Sequence, residues 1–305
     1  MQNIVASSAT PTSSGVMERS TAGVSVVIPT WKRTEKLINS LRHILACDPL
    51  PAEVIVHVDA GDSETPRALQ GQFPSIRVIV SHERMGPGGG RNRLIATANQ
   101  QLVASFDDDS YPLDADYFAV LQDLFRDFPD ASVIAGQINH EGEIVRPRDP
   151  SVNWVADFLG CGCAYRRAEF IATGGYVPLP VAYGMEEADL SLRLHDRGGR
   201  ILFAKRLRVF HATNLAHHRD AAVTKASITN IALLASLRYP ASFWWLGSAQ
   251  VLNRIAWLLR NRRWRGVASG ILGIPGHLRR YRQYRQPVSP KTLSGYLALR
   301  RLPQA

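Results

Sequence analysis

Acidic residues are almost missing from the last third of this 305-residue chain: from residue 216 to 305 there are 15 Lys and Arg against a single acid, Asp220. That stretch carries +14, and the rest of the chain carries −4 within a net +10. Cysteine is scarce too, with Cys47, Cys161 and Cys163 alone. An odd number excludes a closed disulfide framework. The C-x-C pair has no second pair to complete a structural zinc site, so small buried thiols in a reducing compartment are expected. Long apolar runs are lacking as well. The longest uncharged stretch of the basic region is 15 residues, Tyr239 to Asn253, and it contains Pro240, Gln250 and Asn253. A spanning helix needs about 20 apolar residues. Residues 1–22 are rich in Ser, Thr and Ala and have no apolar core behind a basic start. They read as a disordered leader rather than a signal peptide. Neither a G-x-S-x-G elbow nor an H-E-x-x-H helix occurs, which removes the commonest hydrolase and zinc-peptidase signatures.

What is present is an alternation of strand and helix signals. Apolar β-branched runs at Val24–Pro29, Glu53–Asp59, Ile76–Ser81, Leu102–Phe106 and Ala131–Ile138 read as buried strands. Between them, Thr34 is expected to cap a helix with Leu37, Ile38, Leu41, Ile44 and Leu45 on one face. Further helices are expected over Gly90–Gln100 and from Asp114. Such alternation predicts an α/β fold with a mostly parallel, Rossmann-like nucleotide-binding sheet covered on both faces. Ligands of such sheets bind at the carboxyl ends of the strands. The pattern then becomes mixed, with a helix expected over Glu186–Asp196 and strands over Ile201–Phe203 and Leu207–Phe210. Beyond residue 216 it turns helical, with Trp and Arg interleaved. Three regions are therefore expected: a leader over 1–22, a catalytic-type domain over 23–215, and a basic helical extension over 216–305. Helices this short, flanked by Arg238, Arg254 and Arg260 and carrying Trp244, Trp245, Trp257 and Trp264, suit a membrane surface. They also suit a subdomain packed on the core with its arginines solvated.

The chemistry-bearing residues cluster at strand ends. Asp107-Asp108-Asp109 follows a buried strand, and carboxylates so crowded repel one another unless a cation lies between them. Hard divalent metals take oxygen ligands and bind phosphates at the same time. Read without a partner, the triplet is equally an acidic loop. Asp59 ends another strand, where it can bond its own turn or accept from a nucleobase N–H. The glycine-rich segment from Met85 to Asn92 has neither the P-loop ending nor the dinucleotide spacing. It enters a helix whose start attracts anions, with Arg91 or Arg93 in reach of a diphosphate. Glu186 and Glu187 open a helix, where acids are favoured by the dipole and where a carboxylate can also serve as a general base. His211 ends an apolar strand and is either a strand-end histidine or a metal ligand.

In this order the segments resemble the family 2 glycosyltransferases of the GT-A fold. Val26-Val27-Ile28-Pro29-Thr30-Trp31-Lys32-Arg33 is similar to the family's first strand and nucleoside-contacting turn. Val58 to Ser63 resembles its base-binding segment, and Gly90-Arg91-Asn92 with Phe106 to Asp109 resembles the helix leading to the DXD motif. Gly174-Gly175-Tyr176 and Gly184 to Leu190 resemble its acceptor loop and catalytic-base helix, and Val209-Phe210-His211 its closing strand. The resemblance spans Val24 to His211 and implies an inverting, metal-dependent transfer from a nucleotide-diphosphate sugar to a hydroxyl acceptor. It implies donor contacts at Pro29, Thr30, Arg33, Asp59, Arg91, Asp107 and Asp108. It implies manganese or magnesium at Asp107, Asp109 and His211, and a base at Glu187 or Glu186. Acceptor contacts are implied at Gly174, Gly175 and Tyr176, and Trp154 is either a sugar-stacking platform or, more simply, a buried core tryptophan. Two positions depart from the family pattern: Glu187 stands where Asp is usual after Glu, and Ala60 where a second Asp is common. A cytoplasmic enzyme at the inner face of a membrane, with a lipid-linked acceptor, would account for the basic tail. A nucleotidyltransferase lacks its early phosphate-gripping loop here. Nucleic acid is not an expected partner, because the tail's tryptophans lie in apolar runs.

Overall fold

The computed structural model describes residues 20–145, 147–181, 183–213 and 220–302. Most of the expected leader, residues 1–19, and the expected 215/216 boundary lie outside the described residues. Thr21 and Ala22, grouped with the leader by composition, are already strand, paired with Leu50 and Pro51.

Nine strands form one sheet: β1 (Thr21–Thr30), β2 (Leu50–Val58), β3 (Arg77–Val80), β4 (Leu102–Phe106), β5 (Ser110–Pro112), β6 (Ala131–His140), β7 (Val152–Val155), β8 (Gly162–Arg166) and β9 (Arg200–His211). Their order is β3-β2-β1-β4-β8-β6-β9-β5, with β7 sharing the outer edge of β9. Six strands run the same way; β5, β7 and β8 oppose them. The carboxyl ends of β1, β2, β4, β6 and β9 therefore share one rim. Because β8 runs against β4, its first residues start at that same rim, with Gly162 opposite Phe106.

Alternation along β1 decides which helix packs where. Val24, Val26 and Ile28 face a layer made by α1 (Thr34–Leu45), α2 (Glu64–Gln72) and α4 (Tyr117–Asp127). Val27 faces the opposite layer of α3 (Gly86–Thr97), α5 (Arg167–Ala172) and α6 (Glu186–Asp196). On α1 the expected stripe of Leu37, Ile38, Leu41 and Ile44 is buried, worth roughly 1.5–3 kcal/mol per side chain. Thr34 is not its cap: Arg33 holds the cap position, and the Thr34 hydroxyl pairs instead with Thr65 Oγ1 at 2.8 Å.

Two further expectations change. The strands expected over Ile201–Phe203 and Leu207–Phe210 are one strand, β9. The register against β6 jumps between Gly136–Ala204 and Gln137–Arg208, so the polar Lys205-Arg206 step sits in a bulge rather than a turn. The helix expected from Gly90 begins at Gly86. Pro87 suits a first turn, and Gly86 has φ +69° with its amide on Asp59. A side chain there would overlap the Leu179 carbonyl.

The basic region folds into α7 (Ala221–Arg238), α8 (Trp244–Arg260), α9 (Val267–Tyr281) and α10 (Pro290–Arg301). It is not a detached tail. Leu233, Leu237, Leu293 and Tyr296 share a buried cluster with Leu179, Met185 and Leu192. Among the described residues, no helix is long and apolar enough to cross a membrane.

Candidate active site

A cleft of about 320 Å³ opens on the rim above β1, β2 and β4, lined by Pro29, Thr30, Trp31, Arg33, Asp59, Asp107 and Asp108 among others. The turn after β1 is held open by Asp62. Its carboxylate accepts from the Lys32 amide at 2.6 Å and from the Thr65 amide and hydroxyl at 3.1 and 2.8 Å. Lys32 takes φ +55°, a left-handed conformation uncommon outside glycine, so this anchoring fixes where Arg33 points. Burial opposes the Asp62 charge, but those amides lower its pKa all the same.

The aspartate triplet divides its work. Asp108 is buried, accepts from Thr30 Oγ1 at 2.9 Å and pairs with Arg33 at 2.7 Å. Burial pushes its carboxyl up to about 7 against the pull of Arg33. Asp109 is also buried and is met by Arg33, by Lys36 at 3.3 Å and by His211 Nε2 at 3.2 Å. Burial works against its charge, yet the His211 hydrogen bond and the Arg33 charge outweigh burial and hold it well below the usual carboxylate range. Asp107 is the more exposed member and faces the cleft. It pairs with Arg91 and lies 3.8 Å from His211 Nε2.

Asp107, His211 and Cys161 place one ligand atom each within 4.8 Å of one another. The reason is topological: His211 ends β9, Asp107 follows β4, and Cys161 precedes the opposed strand β8, so all three meet on the rim. Carboxylate oxygen and imidazole nitrogen suit manganese or magnesium, and a thiol adds a softer donor. The donor set fits a divalent ion, with Asp109 bonded to the same imidazole. Cys161 is buried, as its composition suggested, but it stands in this cluster while Cys163 packs against Tyr165.

Several residues stand elsewhere than the resemblance implied. Arg91 is buried behind Asp107 and donates to Ser105 Oγ at 3.0 Å and to the Gly160 carbonyl at 3.4 Å. It supports the cleft from beneath and does not line it. Both Asp59 oxygens are taken by amides, Met85 at 2.9 Å and Gly86 at 3.0 Å, so this carboxylate first pins the start of α3 to the end of β2. Tyr176 is fully buried with its hydroxyl on Tyr165 at 2.7 Å. Its backbone is clamped twice by Asn92, at 2.7 and 2.8 Å. Gly175, at φ +72°, has Asn92 where a side chain would go. Gly174 shares that turn. The segment braces α3 against α6: Thr173, Gly175 and Tyr176 are buried, and Gly174 is exposed. Trp154 lies toward the far end of the sheet from the rim. It is opposite Leu202, edge-on to Phe128 and covered by the Arg200 guanidinium at 3.6 Å. Its ring is committed to packing, as a tryptophan on an edge strand usually is.

Glu186 and Glu187 separate cleanly. Glu186 is buried against Gly88, and burial, then the Glu187 charge, raise it well above the usual range. Glu187 accepts from the Gly160 amide at 3.3 Å and opens onto a second groove of about 680 Å³. Burial raises its carboxyl as well, with Arg91 pulling the other way. A chain of contacts, Asp107 to Arg91 to Gly160 to Glu187, ties the cleft to the groove.

Sequence reasoning passed over Arg84 and Pro180 as cleft residues and named Trp31 only as part of the turn after β1. Arg84 lies over the Trp31 ring at 3.7 Å and reaches Asp59 at 3.4 Å. Trp31 was legible in one respect, since it is the first residue past a buried strand at the ligand-binding rim.

The family model described as Glycosyl transferase family 2 matches residues 25–175, which takes in the cleft, the triplet and the Asn92 clamp. The chain belongs to the family 2 glycosyltransferases. A curated relative, the glucosyl-dolichyl phosphate glucuronosyltransferase of Haloferax volcanii, is 25% identical over 216 residues, covering 62% of this chain and 68% of its own. Among solved structures, GalNAc-T7 with UDP, GalNAc and Mn2+ superposes with TM-score 0.59 at 15% identity; the match covers 75% of this glycosyltransferase and 51% of that chain, about half its length. The mannosyltransferase PcManGT from Pyrobaculum calidifontis, in complex with GDP-Man and Mn2+, matches with TM-score 0.56 at 14% identity over 94% of this chain and 90% of its own. That span takes in C-terminal helices as well as the sheet. These likenesses show the GT-A fold of this glycosyltransferase.

Proposed function

We propose that this glycosyltransferase binds a nucleoside-diphosphate sugar in the cleft and transfers the sugar, with inversion, to a hydroxyl acceptor in the groove beside Glu187. The observation that carries this reading is the placement of Glu187. It opens to the groove, is raised by burial, and is linked to donor-side Asp107 through Arg91 and Gly160. A base works best with its pKa nearer the operating pH than an exposed carboxylate's. Trp31 and Arg84 offer a face for a nucleobase, and Arg33 and Lys36 offer cations for a diphosphate.

Asp107 and His211, with Asp109 beside them, would hold manganese or magnesium, which neutralises charge on a leaving diphosphate. Glu187 takes the proton of the acceptor hydroxyl as that oxygen bonds to the anomeric carbon. The bond from that carbon to the diphosphate oxygen breaks on the opposite side, and configuration inverts. The solved relatives carry UDP or GDP-Man with Mn2+, which supports this donor class. The curated relative's name includes a dolichyl phosphate, which supports a lipid-linked acceptor.

The same reading places the enzyme at the cytoplasmic face of a membrane. Its support is an exposed apolar stripe on the cationic helices, where Trp245 and Leu252 are 69% and 66% exposed and Leu272 81%. The test is Glu187→Gln: transfer is expected to fall at least about a hundredfold with donor binding intact. Full transfer by Glu187→Gln, with loss in Glu186→Gln, would move the base to Glu186.

A further inference from the structure

The groove beside Glu187 has a second wall, made by α8, and that wall carries an arginine with no carboxylate partner among the described residues, Arg254. Arg254 faces the groove together with Gln250, Asn253 and Trp257, across from Leu159 and Tyr183. Its Nε donates to Ser227 Oγ at 3.2 Å, and its guanidinium lies 4.7 Å from the Trp257 ring and 5.7 Å from the Tyr183 ring. One terminal nitrogen, Nη2, is shielded from solvent and has no hydrogen-bond partner. No carboxylate lies within 4 Å of Arg254 among the described residues, whereas Arg33, Arg91, Arg193, Arg238 and Arg300 each have one. A shielded, unpaired guanidinium nitrogen is costly to leave unmade. A planar fork held between rings is arranged for an oxyanion with two oxygens to offer.

We infer that Arg254 is the anchor for the phosphate of a lipid-linked acceptor, whose hydroxyl-bearing end reaches Glu187 at the other side of the same groove. This rests on the transferase reading and names the acceptor class of that site. The lipid is argued from α8 itself. The helix turns Arg254 and Trp257 to the groove, while Trp245, Ala249, Leu252, Ala256 and Leu259 recur at helical spacing on its outward side. Trp245, Leu252 and Leu259 are exposed large hydrophobics there. Leu159 and Trp257, 57% and 43% exposed, give a hydrocarbon chain leaving the phosphate apolar contact in the groove itself, before it rounds the helix to that outward side. The net +14 of residues 216–305 favours the same anionic, surface-held molecule over a neutral soluble sugar.

The test uses the full chain and a simple probe, dodecyl phosphate below its micelle concentration, followed by tryptophan fluorescence, since Trp257 touches Arg254. Dodecanol and inorganic phosphate serve as half-probes, one without the anion and one without the chain. Wild type is expected to bind dodecyl phosphate more tightly than either half-probe, and Arg254→Gln to bind it at least about tenfold more weakly. Stabilisation by a nucleoside diphosphate with manganese is expected to be the same in both proteins, which shows that the variant is folded. Equal binding of dodecyl phosphate by wild type and Arg254→Gln would overturn the anchor, as would inorganic phosphate alone binding as tightly. No binding by wild type would overturn it too. Loss of the nucleotide response in wild type would instead overturn the transferase reading on which the anchor depends.

Discussion

Asp109 and Asp108 are neighbours in the chain with opposite proton affinities. Both are buried, and the difference lies in what each faces: Asp108 meets Thr30 and Arg33, Asp109 meets Arg33, Lys36 and His211. Asp109→Asn is expected to abolish the manganese-dependent part of nucleoside-diphosphate stabilisation. Asp123→Asn on the exposed side of α4 should stay within about 0.5 kcal/mol of wild type. A retained manganese response in Asp109→Asn would remove it from the metal set. Glu187 gives a pH prediction whose sign follows from its burial. As the proposed base it would act as the carboxylate, and its raised pKa means that charge is lost at a higher pH than for an exposed glutamate. Transfer should therefore fall on the acid side above about 4.3, the ordinary glutamate value. An acid limb at that ordinary value would contradict a buried base. Residues at strand ends, such as Asp59, Asp107 and His211, were legible because a buried strand announces where it stops. The place of Arg91 was not, because the side of a helix is not written in a single residue type, whereas the packing role of Trp154 was the simpler of its two readings.

At the scale of elements, α3 and α6 are positioned by long-range clamps that a linear reading does not contain. Asn92 on α3 holds Tyr176 across 84 residues. Gly175→Ala must both strain a positive φ and displace Asn92, so a loss of about 1–3 kcal/mol in denaturant unfolding is expected; a neutral change would show that the clamp yields. Asp189 on α6 is buried between Arg193 and Arg238, the latter at 2.5 Å from the end of α7. Arg238 also donates to the Tyr284 carbonyl at 2.7 Å. Removing Asp189 strands two arginines in the interior, and Asp189→Ala should cost about 3–5 kcal/mol. Loss of less than about 1 kcal/mol would mean that water reaches the pair. The strands and long amphipathic helices were readable from period alone. The short elements β5, β7 and α5 were not, since three to six residues carry too little pattern to separate them from loop.

Across the whole molecule, charge and core follow different boundaries. Composition separates residues 216–305 from the rest, but packing joins them: helix α6 is covered by α7 and α10 in a common cluster. The groove beside Glu187 exists because of that union, with Glu187 from one side and Arg254 from the other. Gly174, Gly175 and Tyr176, placed at the acceptor by family pattern, do not line this groove, whose second wall lies outside the part of the chain that resembled the family. The outward face of α8 supplies the molecular-scale prediction. Binding to vesicles of anionic phospholipid should weaken with salt. It should drop in the Trp245→Ser, Leu252→Ser double variant without a change in melting temperature, because both side chains are exposed. Undiminished binding would leave the helices as packing elements alone.

The central claim is a metal-dependent nucleoside-diphosphate cleft. Its most direct test is the thermal stability of the full chain with UDP, GDP, dTDP or CDP, each with and without manganese. One nucleotide should stabilise the protein only with the metal present, by about 2.7 kcal/mol at a hundredfold excess over its dissociation constant. No stabilisation by any of the four, or the same stabilisation without manganese, would contradict the assignment of Asp107, Asp109 and His211.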